Sequence, residues 1–376
     1  MRLIKNIIYF VFKLFKINRN RILFNSFPDF SDNSFALFSE LNKKNKGYEL
    51  IWLVKDKKLI QKLQKEYKYS KFIYKYSLKG FFYFYTSKYI FITHGIFHGF
   101  KRKKQQVVVN LWHGMPLKKI GLDDNKNIDE ISQQDYLIAT SMFFQDIMSK
   151  AFGIKKEKVL ITGQPRNDLL FKKDNHEKIK DILKVKNEEI ILWMPTYRKS
   201  IVGDIRIDGE ILDVLKIKNL KNIDQKLDKL NKKIIIKIHP MDYINNIIEE
   251  YNLFNNIKVI NNEFFEKNEV TLYELLGMAD KLITDYSSVY IDYLILDKPI
   301  GFFIPDLKKY SNDRGFYENN LNESLPGPIL EQDNDLINFI INDEDNYSQK
   351  RKIINDKYNK YKDNKNSKRI LNYFKL

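Results

Sequence analysis

Cysteine is absent from this sequence of 376 residues. Its absence excludes disulfide bonds, zinc sites built from thiolates and a cysteine nucleophile. The sequence also lacks a P-loop and a Gly-rich dinucleotide fingerprint after its first predicted strand, which disfavours the NAD and ATP enzymes that use them. It has no RNP, zinc-finger or helix-turn-helix signature, and no group of side chains has the spacing of a metal site. We therefore expect no metal, no cofactor and no nucleic-acid partner.

We also expect neither a membrane-spanning segment nor a signal peptide at the start of this sequence. The segment from Met1 to Arg21 is too short and too often interrupted by lysine to span a bilayer, and the first alanine, Ala36, comes too late for a cleavage site. Apolar residues recur in this segment at helical spacing, and Lys5, Lys13 and Lys16 are predicted to lie on the other side. This pattern is typical of a basic amphipathic helix in a membrane interface, although a helix packed on the protein itself has the same pattern.

Positive charge is what the sequence has in excess. Its 65 Lys and Arg against 48 Asp and Glu give a formal net charge of +17. Such a balance favours a negatively charged partner, which is nucleic acid, anionic lipid or a phosphorylated substrate. A codon bias toward A and T explains the lysines equally well. The length predicts two domains, and hydrophobic and aromatic fractions of 43% and 14% exclude a disordered chain.

Short apolar runs alternate with polar, helix-like stretches after residue 21, which indicates parallel sheets of βαβ units. The first series of predicted strands is Ile22–Ser26, Glu49–Val54, Lys71–Tyr76, Tyr89–Thr93, Val107–Leu111, Tyr136–Ala139 and Lys158–Ile161. The second series is Ile190–Met194, Lys233–Ile238, Ile257–Ile260, Lys281–Thr284 and Pro299–Ile304. Two series predict an α/β protein with two Rossmann-like domains.

The charged segment from Lys172 to Glu189 lies between the two series and is the predicted domain boundary. We predict a membrane-associating helix over residues 1–21, an N-terminal domain over 22–171 and a C-terminal domain over 172–345. A basic helix, about Asn346 to Phe374, is predicted within residues 346–376. In such an architecture, ligands bind at the carboxyl ends of the strands.

Polar residues follow several predicted strands at these carboxyl ends. Three of the five histidines are there, namely His94, His113 and His239, and Arg198 follows the first strand of the second series. A lone histidine at a strand end is more often a structural residue. Three histidines and an arginine in equivalent positions instead predict a ligand site between the domains.

The turn from Thr284 to Ser288 joins a buried strand to a helix and has two interpretations. Asp and Ser are preferred helix N-caps, so a structural cap explains the turn. Side-chain hydroxyls and free backbone N–H groups at such a turn also hold phosphates in α/β proteins. For Asp285 we favour a structural role, because a carboxylate beside a phosphate is repelled. For Ser287 and Ser288 the strand-end setting favours phosphate binding.

Six sequence blocks resemble, in order, the CDP-glycerol glycerophosphotransferases of teichoic acid and capsule synthesis. The blocks cover roughly Ser26 to Leu330. They are Asn110–Lys119, Gly163–Asp168, Met194–Arg198, Lys237–Pro240, Leu282–Ser288 followed by Asp292, and Arg314–Tyr317 with Pro326–Pro328 downstream. The resemblance implies a GT-B-like fold with two parallel-sheet domains facing a central cleft. It also implies transfer of glycerol phosphate from CDP-glycerol to a hydroxyl, with release of CMP, at the cytoplasmic face of the membrane.

Roles for individual residues follow from the resemblance and the chemistry together. His113 is the candidate general base, since a neutral imidazole takes a hydroxyl proton near pH 7. The second candidate catalytic residue is His239, which would also grip the donor diphosphate. The other predicted donor ligands are Thr196, Arg198, Ser287, Ser288, Asp285, Arg166 and Asn167, of which Arg166 and Asn167 have cleft geometry as an alternative role. On the acceptor side we place His94 and Gly114.

The expected partners are CDP-glycerol or a related CDP-polyol, a polyol-phosphate polymer or lipid-linked saccharide acceptor, and an anionic membrane surface. Alternative functions of the same architecture are a CDP-ribitol ribitolphosphotransferase and a nucleotide-sugar transferase. A non-catalytic polyanion-binding protein is the alternative from another class. Such a protein would bind duplex nucleic acid in a salt-dependent way without releasing CMP.

Overall fold

The computed structural model describes residues 2–44, 47–124, 134–195, 220–238, 254–304, 316–318 and 321–376. The chain divides into two compact units. The first unit consists of Met1–Met115, Lys119–Asp168 and Tyr358–Leu376, and the second consists of Pro116–Lys118 and Leu169–Lys357. Each unit contains one parallel sheet, so the predicted α/β class with two Rossmann-like domains is confirmed.

All twelve predicted strands are present, within a few residues of their expected ends. The strands of the first unit are β1 (Asn18–Asn25), β2 (Glu49–Val54), β3 (Lys71–Tyr74), β4 (Ser87–Ile92), β5 (Val107–Asn110), β6 (Tyr136–Ala139) and β7 (Val159–Ile161). Those of the second unit are β8 (Glu189–Met194), β9 (Lys232–Lys237), β10 (Ile257–Ile260), β11 (Lys281–Thr284), β12 (Ile300–Phe303) and β13 (Ile329–Leu330). Sequence analysis missed β13, whose two residues are too few to show a period.

The helices lie between the strands and at the ends of the chain. They are α1 (Arg2–Lys13), α2 (Asp32–Lys44), α3 (Lys57–Glu66), α4 (Leu78–Thr86), α5 (Met142–Ala151), α6 (His176–Leu183), α7 (Leu220–Lys229), α8 (Asn262–Asn268), α9 (Leu272–Met278), α10 (Val289–Tyr293), α11 (Leu321–Ser324), α12 (Asp333–Ile341), α13 (Ser348–Tyr358) and α14 (Asn366–Phe374). Side chains cap several of them. Asp56, for example, accepts a hydrogen bond from the Lys58 backbone N–H at the start of α3.

The order of the strands locates the ligand-binding edge of each sheet. The order in the first unit is β3-β2-β1-β4-β5-β6-β7, and the order in the second unit is β10-β9-β8-β11-β12-β13. The direction of winding therefore reverses between β1 and β4 in the first unit and between β8 and β11 in the second. Crevices at the carboxyl ends of strands beside such a reversal are where α/β folds bind ligands.

The two faces of the first sheet have separate cores. Ile22 and Phe24 point to one face, where they pack with residues of α2 and α14, whereas Leu23 points to the opposite face with residues of α4. This alternation follows from the period of two along a strand. Since both faces are covered, the buried part of β1 contains the continuous apolar run Ile22–Phe24, which is why the position of the strand was predictable.

The C-terminal segment differs from the prediction of one helix from about Asn346 to Phe374, which is wrong. Two helices, α13 and α14, are separated by a polar connection, and α14 returns to the first unit, where Ile370 and Leu371 enter the core. Asp168 accepts hydrogen bonds of 2.8 Å from the backbone N–H groups of Asn366 and Ser367 and so caps α14. The sequence does not reveal this division, because lysines occur along both helices and the connection between them, as they would in one continuous polar helix.

Helix α1 has two apolar faces. On one face Phe12 is buried and stacks on Tyr85 of α4 with ring centroids 5.8 Å apart. On the other, Leu3, Ile7, Phe10, Val11 and Leu14 are all more than half exposed. Among the described helices, none combines the length and apolar character needed to cross a bilayer.

The three lysines predicted to face a membrane from this N-terminal segment are not equivalent. Lys5 donates a hydrogen bond of 2.9 Å to the carbonyl of His98 and thereby ties α1 to its own unit. Lys13 and Lys16 are exposed. The Lys13 ammonium lies 6.0 Å from the centroid of the Tyr9 ring, so among the described residues only Lys5 of the three lysines is tied to another segment by a hydrogen bond.

Candidate active site

Two histidines meet at the carboxyl edge of the first sheet. His94 follows β4 and His113 follows β5, and the two imidazole rings stack with centroids 4.1 Å apart and an interplanar angle of 7°. Adjacent parallel strands bring their following loops together, so the strand-end rule that selected both residues also explains their contact. The sequence predicted each position but not the stacking.

Hydrogen bonds define which nitrogen of His113 carries hydrogen. Its Nδ1 lies 3.2 Å from the backbone carbonyl oxygen of Thr93. A carbonyl oxygen only accepts hydrogen bonds, so Nδ1 must be the donor. In the neutral ring the lone pair therefore resides on Nε2, and this nitrogen is the one able to take a proton.

His94 has the opposite arrangement. The buried Thr93 hydroxyl accepts a hydrogen bond from the Phe27 backbone N–H at 3.3 Å. Among the described residues, His94 Nδ1, at 3.0 Å, is the one acceptor placed against this hydroxyl, so the hydroxyl hydrogen is donated to it. His94 Nδ1 is then the acceptor, and Nε2 carries the hydrogen. One threonine thus orients both rings, since its carbonyl fixes His113 and its hydroxyl fixes His94.

Both histidines are neutral at physiological pH. Burial, reinforced by His113, Lys55 and Lys75, lowers the pKa of His94 to about 3. Burial also lowers the pKa of His113, against smaller raising effects from the Thr93 carbonyl and Asp32. Removing an imidazole from water disfavours its cationic form, which is the common cause. The pair therefore offers one nitrogen lone pair and one N–H donor.

The loop that carries His113 is held by Asn33 at the start of α2. The side-chain amide of Asn33 donates to the carbonyl oxygens of Leu111, at 3.1 Å, and Trp112, at 2.9 Å. Asn33 is fully buried, so these bonds are shielded from water. No sequence pattern predicted this role, because an Asn beside a helix start is a common turn residue.

Arg166, a predicted donor ligand or cleft residue, makes a second support for the same loop. Its guanidinium donates to the carbonyl oxygen of His113 and to Asp32 Oδ1, both at 2.9 Å. Its backbone N–H donates to Asn33 Oδ1 at 3.0 Å. These contacts give Arg166 a positioning role, since they connect the start of α2 to the backbone of the candidate base. Whether Arg166 also contacts a donor stays a prediction.

The backbone on either side of His113 is unusual. Trp112 has φ of +52° and Gly114 has φ of +139°. A non-glycine residue with positive φ costs on the order of 1 kcal/mol, and the hydrogen bonds from Asn33 hold it there. Gly114, predicted on the acceptor side, is buried and is required as glycine by its backbone angle.

Asn167, the other predicted donor ligand of this block, is fully buried. Neither its amide nitrogen nor its amide oxygen has a hydrogen-bond partner among the described residues. A buried amide without partners costs about 1 to 3 kcal/mol, so structural stability does not explain this side chain. Its predicted donor contact stays a prediction.

In the second unit, the turn after β11 ends a strand at the point where the winding reverses. Asp285 is buried, and Ser287 and Ser288 are half-buried, with Ser287 Oγ accepting from the Val289 N–H at 3.4 Å. The N-cap residue of α10 is Ser288, and its side chain makes no capping hydrogen bond. Asp285 lies three residues earlier and is therefore not the helix cap that the sequence suggested. Phosphate binding by Ser287 and Ser288 stays a prediction.

The segment Pro116–Lys118, three residues beyond His113, belongs to the second unit. Lys118 forms an antiparallel bridge with Phe316, and the Tyr317 N–H donates to the Leu117 carbonyl at 3.0 Å. The Lys118 ammonium lies 5.9 Å from the centroid of the Tyr286 ring. The block that contains the candidate base therefore also supplies a cation beside the Asp285–Ser288 turn.

Three predicted site residues lie outside the described residues, namely Thr196, Arg198 and His239. The strands that precede them, β8 and β9, are described and are neighbours in the second sheet. Among the residues the structure describes, no group of three or more His, Asp or Glu side chains is arranged to hold a metal ion.

Two lysines that sequence analysis passed over lie at the same edge of the first sheet. Lys55 follows β2 and Lys75 follows β3, and both lower the pKa of His94. The strand-end rule that selected His94 and His113 applies to them too. Their signal was hidden because lysines are frequent throughout this chain.

Two parallel α/β units with polar groups at their strand reversals define a GT-B-like fold. The structure of the wall teichoic acid polymerase TagF has this fold, with a TM-score of 0.79, 25% sequence identity, and coverage of 99% of this chain and 93% of that chain.

The chain belongs to the CDP-glycerol:poly(glycerophosphate) glycerophosphotransferase family, whose model matches residues 7–375. It is 31% identical over 379 residues to a teichoic acid poly(glycerol phosphate) polymerase of Bacillus spizizenii, covering 93% of this chain and 90% of that protein. It is 30% identical over 401 residues to a teichoic acid glycerol-phosphate transferase of Staphylococcus aureus, covering 98% and 97%. The predicted family is confirmed.

Proposed function

We propose that the protein transfers glycerol phosphate from CDP-glycerol to a hydroxyl of a teichoic acid-like or capsular polymer acceptor and releases CMP. The observation that carries this proposal is the imidazole of His113, which is neutral and directed by the Thr93 carbonyl so that Nε2 can accept a proton. Family membership supplies the substrate class.

The reaction is a substitution at the phosphorus that bears glycerol. The acceptor oxygen forms a bond to this phosphorus, and the bond from phosphorus to the oxygen shared with CMP breaks. CMP leaves with that electron pair, and the hydroxyl proton passes to His113 Nε2. General-base assistance of this kind contributes on the order of a hundred- to ten-thousand-fold.

His94 supports the same step by contact. Its Nε2 carries hydrogen, and its ring lies against that of His113. An N–H donor next to the base would hold an acceptor oxygen while the neighbouring lone pair takes the proton. Because the pKa of His94 lies far below 7, this donor stays neutral and does not compete for the proton.

For the donor we assign the second unit. The Ser287 and Ser288 hydroxyls and the nearby Lys118 ammonium have the chemistry to bind diphosphate oxygens. Thr196, Arg198 and His239 remain the predicted partners from β8 and β9. Phosphoryl transfer needs cationic and hydrogen-bonding groups on the non-bridging oxygens, and this set would provide them.

We further infer attachment to the cytoplasmic face of an anionic membrane through α1. The exposed apolar residues of this helix form one continuous face, and a lipid-linked acceptor would be presented at such a surface. Lys13 and Lys16 would pair with anionic headgroups, since basic and apolar faces act together in interfacial helices.

The test is CMP release by the purified protein given CDP-glycerol, CDP-ribitol or a UDP-sugar with priming and polymeric acceptors. We expect CDP-glycerol to be used, and His113→Gln to lower kcat by about a hundredfold or more while donor affinity changes by less than about twofold. His98→Gln is the matched control, because His98 is exposed. Near-normal turnover in His113→Gln would show that another group is the base.

A further inference from the structure

The amino groups of Lys55 and Lys75 lie at the carboxyl edge of the first sheet, beside the histidine pair. Lys75 follows β3 and is 5% exposed, and Lys55 follows β2 and is exposed. Neither residue has a part in the proton transfer described above. Both are also absent from the predicted donor ligands.

Lys75 is held as a buried cation. Its ammonium donates to Asn25 Oδ1 at 2.9 Å and lies 5.7 and 5.9 Å from the ring centroids of Phe97 and Tyr76. Asn25 in turn donates to the carbonyl of Leu53 at 3.0 Å. An ammonium has three donors, so this arrangement orients Lys75 without using all of them.

No carboxylate neutralises the two lysines directly. Among the described residues, neither Lys55 nor Lys75 has an acidic oxygen within ion-pair distance, although Asp29 lies close enough to raise the Lys75 pKa. Asp29 Oδ2 instead accepts the backbone N–H groups of Lys55 and Asp56 at 2.7 and 2.9 Å. The cluster of Lys55, Lys75 and Asp29 therefore keeps a net positive charge.

Burial lowers the pKa of Lys75 to about 8, and Lys55 contributes in the same direction. The groups that face Lys75 are Lys55, Asp29, His94 and the phenol ring of Tyr76. Lys75 is therefore mostly protonated at neutral pH, in a place where its charge is poorly compensated. A bound anion would relieve that cost.

The cluster continues into the catalytic pair through His94. Both lysines act electrostatically on His94, whose ring contacts that of His113. The Phe27 ring lies 5.4 Å from the Lys55 ammonium and 5.6 Å from the His94 ring, so it borders the cluster on one side. All of these residues belong to the first unit.

We propose that Lys55, Lys75 and His94 Nε2–H bind a phosphodiester of the acceptor, next to the hydroxyl that His113 deprotonates. The identity of the acceptor rests on the proposed function. In a glycerol phosphate polymer the terminal hydroxyl is three carbon atoms from the last phosphate, so both groups fit adjacent sites. The enzyme consequently prefers acceptors that already end in glycerol phosphate over neutral saccharide ends.

Binding of sn-glycerol 3-phosphate, followed by phosphorus NMR, tests the subsite without turnover. We expect binding to wild-type protein, and a Kd raised about tenfold or more in Lys75→Met because a charged hydrogen bond is lost. Lys55 is exposed, so Lys55→Gln should fold even if Lys75→Met does not. We expect its Kd for sn-glycerol 3-phosphate to rise several-fold. Glycerol, which lacks the phosphate, should not displace bound sn-glycerol 3-phosphate in the same titration.

The matched control is Lys150→Gln, which removes the same charge from the exposed surface of α5. Its Kd should equal that of the wild-type protein. The proposal is overturned if glycerol phosphate fails to bind at millimolar concentrations. It is also overturned if neither Lys55→Gln nor Lys75→Met changes the Kd.

Kinetics separate this proposal from the proposed function. With a lipid-linked acceptor bearing one glycerol phosphate, Lys75→Met should raise the acceptor KM about tenfold and leave the KM for CDP-glycerol unchanged. The same acceptor without glycerol phosphate should show no change in KM. If wild-type protein releases no CMP with any acceptor, the proposed function fails, and the NMR titration still decides the subsite.

Discussion

The half-buried His94 should make the first unit sensitive to mild acid. A histidine whose folded pKa lies below its unfolded pKa stabilises the fold in its neutral form, and this contribution is present above the unfolded pKa. It is lost as pH falls through 6.5 toward the folded value of about 3. Acidification from about pH 7.5 to about pH 5 should therefore cost about 2 kcal/mol of unfolding free energy through His94 alone.

The perturbation is His94→Asn, which keeps an oxygen acceptor for the Thr93 hydroxyl but does not titrate. The substitution also removes ring contacts, so the informative quantity is the loss of stability between the two pH values and not the stability at either one. We expect His94→Asn to lose about 2 kcal/mol less than the wild-type protein. His113 remains in both proteins, and its contribution is common to them.

The assay is urea denaturation followed by tryptophan fluorescence at both pH values. Trp52 and Trp112 report on the first unit, and Trp193 reports on the second. His98→Asn is the control, because His98 is exposed and should leave the acid-induced loss at its wild-type value. Equal losses in the wild-type protein and His94→Asn would refute the argument, since His94 would then ionise as freely as in the unfolded chain.

Two further predictions concern catalysis and the membrane. Arg166→Lys keeps the charge but not the planar fork that joins α2 to the loop of His113, the proposed base, so kcat should fall about tenfold to a hundredfold. The KM for CDP-glycerol should stay within about twofold, whereas a larger rise in KM would indicate donor contact. Phe10→Ser with Leu14→Ser should reduce flotation with anionic vesicles about tenfold or more, because two exposed apolar side chains are lost. Tyr69→Ser, an exposed aromatic outside α1, should float normally, and unchanged flotation of the double variant would exclude this face as the attachment.

Periodicity was sufficient to locate the sheets. Each predicted strand is a short apolar run, and β1 shows why such runs are readable: Leu23 is buried on one face and its neighbours on the other. The C-terminal helix was not readable in this way. Its return to the first unit depends on Asp168, which is distant in sequence and caps α14 through backbone N–H groups.

Chemistry at strand ends was partly predictable. His94 and His113 were identified because histidine is rare in this chain, and a rare residue in a repeated position is informative. Lys55 and Lys75 occupy equivalent positions, but no sequence pattern separates them from the many other lysines. Burial distinguishes Lys75, and burial is a property of the fold.

The sequence by itself determined the α/β architecture and the family, and it singled out the histidine that we propose as base, because strand periods and ordered motif blocks are local. Only the tertiary structure decided what these residues can do. The Thr93 carbonyl fixes the proton-accepting nitrogen of His113, Asn33 and Arg166 hold its loop, and burial keeps both imidazoles neutral. Each of these effects depends on groups brought together from separate parts of the chain, and no local pattern encodes their distances or their desolvation.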